Sequence, residues 1–382
     1  MAGSWSSVDD LRLRARRRLP RFAFDFIDGG AGNEASLGRN VEAYRQATLV
    51  PRILRNVDGD LATETTLFGR TWRVPFGVAP IGMAGIAWPG IDGWLAAGAE
   101  RAGAPYTAST PATATLEELR TAAPTVSWFQ LYVGREQRIV DDLLHRAEAA
   151  GYETLLVTAD VPKPGKRLRD IRNSFMLPLR PSVRMALDVA IHPGWSWAIA
   201  RSGSPRFCNL ERYTKNSSAS SLAEFMASQS SGRLDWALFD HIRKTWKGRI
   251  ALKGVLSPED AVEAARRGAD AVVVSNHGGR QLASAPATLH ALGAVRDALG
   301  PDFTVLLDGG IRSGEDILKG LLAGADFVLM GRPFVFAVGA YGQEGAERVF
   351  ELLRAELVNA MGQIGLSDIA DRGAFTDCLC LG

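Results

Sequence analysis

The chain has 382 residues, of which 46% are hydrophobic and 23% charged, a composition typical of a globular protein with a large core. A formal net charge of +2 gives no reason to expect a nucleic-acid partner. Three cysteines without CxxC spacing argue against a disulfide framework, and five histidines without metal-ligand spacing lead us to expect no metal.

An N-terminal extension, residues 1–73, opens with an Arg-rich helical pattern. After it, short apolar and β-branched runs alternate with helix-length segments, which is typical of parallel βα units buried on both faces. The helical segments include 136–150, 258–267 and 314–323, and Ser257 stands as an N-cap before Pro258. The eight predicted strands are 74–80, 104–109, 125–132, 154–160, 249–253, 271–275, 303–308 and 327–330.

Eight such units predict an α/β fold, a closed (β/α)8 TIM barrel rather than an open sheet. We expect the barrel to span residues 74–360, followed by a C-terminal tail, 361–382, within one domain of residues 1–382. Residues 161–233 follow the fourth strand and are too long for a simple connection. A loop of that length is usually functional, so we interpret it as an insert or lid.

The strongest local motif is Ser-Asn-His-Gly-Gly-Arg-Gln at 275–281, directly after an apolar strand. In a barrel of this kind, polar residues at the C-terminal ends of the strands converge on one mouth. A lone histidine after a strand is more often structural than catalytic. Here two glycines let the backbone turn His277 and Arg280 toward the same space, which favours a base beside an anion anchor.

This motif resembles that of the FMN-dependent 2-hydroxy acid oxidases and dehydrogenases, which include glycolate oxidase, L-lactate dehydrogenase and mandelate dehydrogenase. The resemblance covers nearly the whole chain. It implies that the protein binds FMN, oxidises a small L-2-hydroxy acid to the 2-oxo acid and assembles as a homotetramer. The matching strings are Leu-Pro at 19–20, Phe-Asp-Phe at 24–26, Trp-Phe-Gln-Leu-Tyr at 128–132, Leu-Asp-Gly-Gly-Ile-Arg at 307–312 and Gly-Arg-Pro at 331–333.

The resemblance also implies roles for individual side chains. His277 would take a proton from the substrate, with Asp160 stabilising the imidazolium. Arg280 and Arg167 would bind the substrate carboxylate, and Tyr132 would hydrogen-bond the substrate.

Further residues are implied to hold the cofactor. Lys253 would lie at the N1/O2 edge of the flavin, where a positive charge favours the reduced ring. The phosphate would bind to backbone N–H groups and arginines that come directly after strands seven and eight. The other implied contacts are Pro80, Ile81 and Gly82 near N5, Ser109, Gln130, Thr158 and Ser275 at the ring and ribityl chain, and Asp308, Gly310, Arg312, Gly331 and Arg332 toward the phosphate.

Two positions depart from the family pattern. Phe26 stands where many members have a tyrosine that helps to bind the substrate carboxylate, so that hydroxyl is missing here. Ala283 stands where an aspartate is usual, which removes a charge expected near Arg280. Met83 and Pro111, both expected to line the pocket, accept either a methyl or an aryl group. The substrate is therefore open between L-lactate and a mandelate-like acid.

Two other functions are compatible with a barrel of this length. Another FMN barrel, of the inosine monophosphate or dihydroorotate dehydrogenase type, would need a catalytic cysteine or serine on a mobile loop. None of the three cysteines follows a predicted strand at the barrel mouth. A catalytically silent binding barrel is supported only by Phe26 and Ala283.

The insert is basic. Residues 163–215 carry eleven Lys or Arg against three Asp or Glu. With no apolar run long enough to span a bilayer and no signal-peptide pattern, we expect a cytoplasmic protein that docks peripherally on the inner face of the membrane and passes electrons to quinone. The alternative is a soluble oxidase that uses O2 and releases hydrogen peroxide. The apolar residues expected at the lipid boundary are Phe175, Met176, Leu177, Leu179, Met185, Leu187, Trp195, Trp197 and Ile199.

Overall fold

Eight parallel strands close into a barrel in the computed structural model, which describes residues 5–175, 182–214 and 231–381. Neighbouring strands in the sequence pair with each other, and the eighth pairs with the first, so no strand edge is left open. In chain order the strands are β1 (Phe76–Val78), β2 (Tyr106–Ser109), β3 (Ser127–Tyr132), β4 (Thr154–Thr158), β5 (Arg249–Val255), β6 (Ala271–Val274), β7 (Thr304–Asp308) and β8 (Phe327–Met330).

The predicted TIM barrel is therefore confirmed, strand by strand. Most strands are shorter than the sequence pattern, some because their first residues lie in the preceding loop and others because their last residues belong to the loops of the mouth. β5 is longer than predicted and carries a register shift between Lys253 and Val255. Strands such as β6 are buried along their whole length, which explains why they read as uninterrupted apolar runs.

Helices surround the barrel and also form the first part of the N-terminal extension. Ser257 accepts a hydrogen bond from the backbone N–H of Asp260, so the predicted N-cap is confirmed. The helices are α1 (Val8–Arg18), α2 (Arg21–Asp28), α3 (Ala35–Gln46), α4 (Ile91–Ala102), α5 (Leu116–Ala122), α6 (Gln137–Ala149), α7 (Leu168–Arg172), α8 (Val183–Ala190), α9 (Pro193–Ser202), α10 (Trp236–Thr245), α11 (Pro258–Arg266), α12 (Thr288–Leu299), α13 (Gly314–Leu322), α14 (Arg332–Tyr341) and α15 (Gln343–Ile364), with 3-10 turns at Ala84–Ile86, Glu211–Tyr213 and Ile369–Cys378.

The extension before β1 is helical only in its first part. Strands Thr65–Leu67 and Arg70–Trp72 form a hairpin that the sequence pattern did not predict. Trp72 packs against Trp128 and Phe327, and these aromatic side chains cover the N-terminal end of the barrel. The mouth at the opposite end is thus where the polar strand ends collect.

The insert after β4 docks on the extension. The Trp195 indole is 7% exposed and donates to the carbonyl of Ile86 at 3.0 Å, with Phe22 against its face. Trp195 was expected at a lipid boundary, and that expectation is wrong because its indole is committed to this internal contact. Of the other side chains named there, Phe175, Met185 and Ile199 pack partly against the core, while Met176, Leu177 and Leu179 lie outside the described residues.

Two side chains from that group, Leu187 and Trp197, are exposed, at 64% and 70%. Val183 and Ile191 are exposed beside them on the same pair of helices, α8 and α9. Among the helices that the structure describes, none combines the length and apolar character that crossing a membrane requires.

Candidate active site

A belt of hydrogen-bonded side chains runs around one side of the barrel mouth. The Ser109 hydroxyl donates to Gln130 Oε1 at 2.8 Å, and Gln130 Nε2 donates to Thr158 Oγ1 at 2.9 Å. Ser109 and Thr158 end β2 and β4, Gln130 lies two residues before the end of β3, and all three are buried. The predicted ring and ribityl contacts are thus brought together at one level of the barrel.

On the other side of the mouth, Lys253 stands between two polar partners. Its ammonium group donates to Ser275 Oγ at 2.7 Å and lies 2.8 Å from Asp308 Oδ2. Burial alone would lower the pKa of Lys253, but the carboxylates of Asp308 and Asp160 outweigh burial and raise it. Lys253 is therefore a fixed positive charge within the mouth.

His277 lies at the centre of the site in a left-handed backbone conformation, with φ of 60°. For a residue with a side chain this conformation is uncommon, and it often marks functional positions. His277 Nδ1 lies 2.9 Å from Asp160 Oδ1, and Nε2 lies 3.1 Å from the Tyr132 hydroxyl. Because Asp160 occupies Nδ1, Nε2 is the ring nitrogen that faces Tyr132 and the cavity.

The charge state of this triad follows from its surroundings. Burial opposes ionisation of Asp160, but the charges of His277 and Lys253 lower its pKa below the ordinary value. Burial and the Asp160 charge raise the pKa of Tyr132 well above its usual range, which keeps the phenol neutral. The site therefore holds an ionised carboxylate, an imidazole and a neutral hydroxyl in one row.

Asn276 fixes the loop that carries His277, a contribution that our sequence analysis missed. Its amide donates to Asn40 Oδ1 at 2.7 Å and accepts from Asn40 Nδ2 at 2.8 Å. It also accepts from the N–H of Gly279 at 3.0 Å, which closes the turn around the histidine. Its place inside the 275–281 motif was the available signal.

Arg280 and Arg167 both lie over the ring of Phe26, with guanidinium carbons 5.1 and 5.2 Å from the ring centre. Burial and repulsion by Arg167 lower the pKa of Arg280 to about 9. Arg167 pairs with Asp170 at 2.7 Å, and Asp170 is buried. Asp170 was not among the predicted site residues, because nothing in its local sequence distinguishes it.

The charge expected from an aspartate at position 283 is supplied from another segment. The carbonyl of Ala283 accepts from Arg39 at 2.8 Å, at the edge of α3. Asp170 is the acidic residue whose charge acts most strongly on Arg280. Losing a carboxylate at 283 therefore does not leave Arg280 without a nearby negative charge.

Two further arginines lie below the mouth beside a helix N-terminus. Arg312 and Arg332 are partly buried, and their guanidinium hydrogen bonds go to backbone carbonyls rather than to carboxylates. Burial and the charges of Arg312 and Arg280 lower the pKa of Arg332 far below its usual range. Two mutually repelling cations, Arg332 at the start of α14 and Arg312 beside the Gly309–Gly310 turn, fit a bound phosphate.

Two adjoining cavities contain these groups. A cavity of about 680 Å³ is lined by His277, Arg280, Arg167 and Tyr132. Its wall also contains the expected Met83 and Pro111, and a smaller cavity that shares part of its wall reaches most of the other predicted cofactor contacts. That smaller cavity is lined by Pro80, Ile81, Gly82, Lys253, Asp308, Gly310, Arg312, Gly331 and Arg332 among others.

The cysteines do not contribute a nucleophile here. The Cys208 thiol points to the carbonyl of Thr113, and burial and nearby carboxylates raise its pKa to about 11. Cys378 is buried near the C-terminus and Cys380 pairs with the strand Thr48–Leu49. None of the three lines either cavity, which weighs against the cysteine-dependent barrel types.

Comparison with known proteins agrees with this geometry. The sequence profile of the FMN-dependent dehydrogenase family matches residues 15–375. L-lactate dehydrogenase of Pectobacterium atrosepticum is 40% identical over 368 residues, covering 96% of this chain and 95% of that protein. The L-lactate dehydrogenase of Caulobacter vibrioides is 41% identical over 369 residues, with 96% and 95% covered.

Solved structures resemble the chain over almost its full length. The monotopic membrane protein (S)-mandelate dehydrogenase superposes with a TM-score of 0.93 at 34% identity, covering 99% of this chain and 100% of that one. Mandelate oxidase superposes with a TM-score of 0.83 at 36% identity, covering 99% and 98%.

Proposed function

The chain belongs to the FMN-dependent dehydrogenase family, and on this premise we propose that it oxidises an L-2-hydroxy acid to the corresponding 2-oxo acid. One observation carries the proposal: the His277–Asp160 pair faces the same cavity as Arg280 and Arg167. A base beside two cations is what a substrate with a hydroxyl and a neighbouring carboxylate requires.

Bound FMN would supply the two-electron acceptor that oxidation of the substrate carbon requires. The residues that would hold it are the mouth belt of Ser109, Gln130 and Thr158, the Lys253 ammonium group, and Arg312 and Arg332 for the phosphate. Arg312 and Arg332 bond to backbone carbonyls rather than to carboxylates, which supports this assignment, because a phosphate dianion would offset their mutual repulsion.

His277 Nε2 is the proposed proton acceptor. Asp160 accepts from Nδ1, so the neutral ring has its free lone pair on Nε2. As Nε2 takes the substrate proton, the Asp160 carboxylate stabilises the imidazolium that forms. The Tyr132 hydroxyl, 3.1 Å from Nε2, is placed to hydrogen-bond the substrate beside the transferred proton.

The cavity favours a substrate side chain larger than a methyl group. Its wall beyond Met83 and Pro111 is apolar, formed by Val140, Leu143 and Leu210. A cavity of about 680 Å³ greatly exceeds what lactate needs and provides apolar surface for an aryl or branched side chain. We therefore propose a mandelate-like acid as the preferred substrate, with L-lactate as the competing candidate.

For the acceptor, we propose a membrane quinone reached from a docking face on the insert. The docking face consists of Val183, Leu187, Ile191 and Trp197, each at least 64% exposed. Exposed Arg184 and Arg201 flank it. Apolar side chains among basic ones suit the headgroup region of an anionic bilayer. The homotetramer implied by family resemblance stays a prediction for light scattering to test.

The proposed function is tested by cofactor identification and anaerobic reduction. Purified protein should be yellow, and its released chromophore should have the mass of FMN. Mixing it without oxygen with (S)-mandelate or L-lactate should bleach the flavin absorbance. A chromophore other than FMN, or a flavin that no 2-hydroxy acid bleaches, would refute the proposal and leave the silent barrel as the better reading.

A further inference from the structure

The C-terminal end of α2 holds both the Arg280 and the Arg332 guanidinium groups. Arg280 Nη1 donates to the carbonyls of Phe26 and Gly29 at 2.7 and 2.9 Å. Arg332 donates to the carbonyls of Ile27 and Gly29 at 3.0 and 2.8 Å. The last turn of this helix thus orients one arginine assigned to the substrate carboxylate and one assigned to the phosphate.

A helix end suits this task better than a carboxylate would. The exposed carbonyls at a helix C-terminus carry roughly half an elementary negative charge, enough to favour a cation nearby. They orient the guanidinium groups without neutralising them in a salt bridge. Among the described residues neither guanidinium group pairs with a carboxylate, so both can pair with an anionic ligand.

The same helix end is tied to the insert by Arg169. Arg169 Nη1 lies 2.9 Å from Asp28 Oδ2 and 3.4 Å from Asp25 Oδ1. Its Nη2 pairs with Glu34, whose other carboxylate oxygen accepts from the N–H of Gly30 at 3.1 Å. One guanidinium group therefore spans both sides of the Gly29–Gly30 turn, and the Gly29 carbonyl of this turn accepts hydrogen bonds from both Arg280 and Arg332.

Arg169 also belongs to the segment that carries Arg167. The two are separated by one residue, and the backbone N–H of Gly32 donates to the carbonyl of Lys166 at 2.8 Å. Asn173 adds a further link, because its amide donates to Asp25 Oδ2 at 2.7 Å. Any displacement of this segment is therefore transmitted to the end of α2.

We propose that Arg169 is a positioning residue that couples the segment bearing Arg167 to the helix end that orients Arg280 and Arg332. Only the part of the proposal that concerns substrate binding rests on the proposed function. Through this contact, the position of the insert and the orientation of both anion-binding arginines are coupled. Losing Arg169 should weaken the binding of both anions without removing a group that reacts.

The matched control is Arg12, which donates to both oxygens of the same Asp28 carboxylate, at 2.6 and 2.8 Å, and has no hydrogen bond or ion pair with the insert among the described residues. Holoenzyme carrying Arg169→Gln or Arg12→Gln would be compared by urea unfolding, by the KM and limiting flavin-reduction rate for (S)-mandelate and L-lactate, and by FMN affinity from flavin fluorescence. Arg169→Lys serves as the variant that keeps the charge.

Arg169→Gln should raise KM and the FMN dissociation constant at least about tenfold, a typical coupling between linked sites, while the saturating reduction rate changes less than about threefold. Arg12→Gln should lower stability yet leave both constants within about twofold. Both constants of Arg169→Lys should lie between those of the parental protein and those of Arg169→Gln, because one ammonium group cannot span three carboxylates.

Equal effects of Arg169→Gln and Arg12→Gln on both constants, or no effect of either, would overturn the proposal and leave Arg169 a stabilising ion pair. If Arg169→Gln does not fold, the comparison of Arg169→Lys with Arg12→Gln decides in the same way. If no 2-hydroxy acid reduces the flavin, the proposed function fails, and the FMN affinities alone still decide the role of Arg169.

Discussion

His277 Nδ1 lies 2.9 Å from Asp160 Oδ1, so the proposed base has a charged partner on the side away from the substrate. The pKa of Asp160 is lowered despite burial, chiefly by the charges of His277 and Lys253. A carboxylate with a lowered pKa stays ionised above its unfolded value of 3.8 and loses its stabilising effect only as the pH falls through its lower folded value.

Replacing Asp160 by Asn should therefore slow flavin reduction. The imidazolium that forms at His277 loses its counter-charge, so the rate should fall by roughly 10- to 100-fold. Stopped-flow reduction of the flavin measures the change. A parental rate in the Asn variant would mean that the Asp160 charge does not assist proton transfer.

Replacing His277 by Ala should remove the proton acceptor and leave cofactor binding intact. Loss of a general base typically costs about 10²- to 10⁴-fold in rate. The absorbance spectrum of the bound flavin should stay close to the parental one, because the assigned flavin contacts are on other strands. Reduction at the parental rate would transfer the role of base to a different residue.

Arg280→Lys should mainly weaken substrate binding. An ammonium group cannot reproduce the two parallel hydrogen bonds of a guanidinium to a carboxylate, and it cannot reach both the Phe26 and Gly29 carbonyls in the same geometry. We expect KM to rise at least about tenfold, with a smaller change in the limiting rate. A change confined to kcat would contradict the carboxylate assignment.

Phe26→Tyr tests the departure at position 26. The ring lies between two arginines at the cavity wall, so a phenolic hydroxyl there should face the substrate carboxylate. A hydrogen bond to a charged group contributes roughly 1.5–3 kcal/mol, which corresponds to a KM at least about tenfold lower for a small acid such as L-lactate. Unchanged kinetics would show that the new hydroxyl points elsewhere.

Membrane docking is tested by sedimentation of the holoenzyme with anionic vesicles. Binding should be strong at low salt and weaker at high salt, and the double substitution Leu187→Ser/Trp197→Ser should reduce it at least about tenfold, because two exposed apolar side chains no longer enter the lipid. Val262→Ser, a half-exposed valine on α11, is the matched control. Protein that stays in the supernatant and releases hydrogen peroxide during rapid turnover on O2 would favour the soluble oxidase.

The barrel could be predicted from the sequence because parallel strands buried on both faces read as short apolar runs with polar ends. The same regularity assigned Lys253, His277 and Asp308 to the mouth, since each follows or ends such a run. Their pairing across the mouth followed from the closed topology rather than from any local pattern.

Contacts between distant segments could not be predicted in this way. Arg169 lies in a basic stretch that looks like a solvated surface, and only the fold brings Asp25, Asp28 and Glu34 to it. A tryptophan in a basic segment is typical of a membrane anchor. Trp195 instead donates to the carbonyl of Ile86, which lies more than a hundred residues away along the chain. Periodicity shows which residues share a face and does not show what covers that face.

Segments near the start of the chain pair and pack with segments near its end. Thr48–Leu49 pairs with Leu379–Cys380, α1 packs on α14, and β8 closes on β1. During synthesis on a ribosome, residues 1–78 emerge long before these partners exist, so the nascent chain exposes apolar surface until they are made. Such high contact order slows folding and exposes intermediates to aggregation. Heterologous expression should therefore benefit from low temperature and abundant chaperone, and products released early, before β8 is made, should be insoluble.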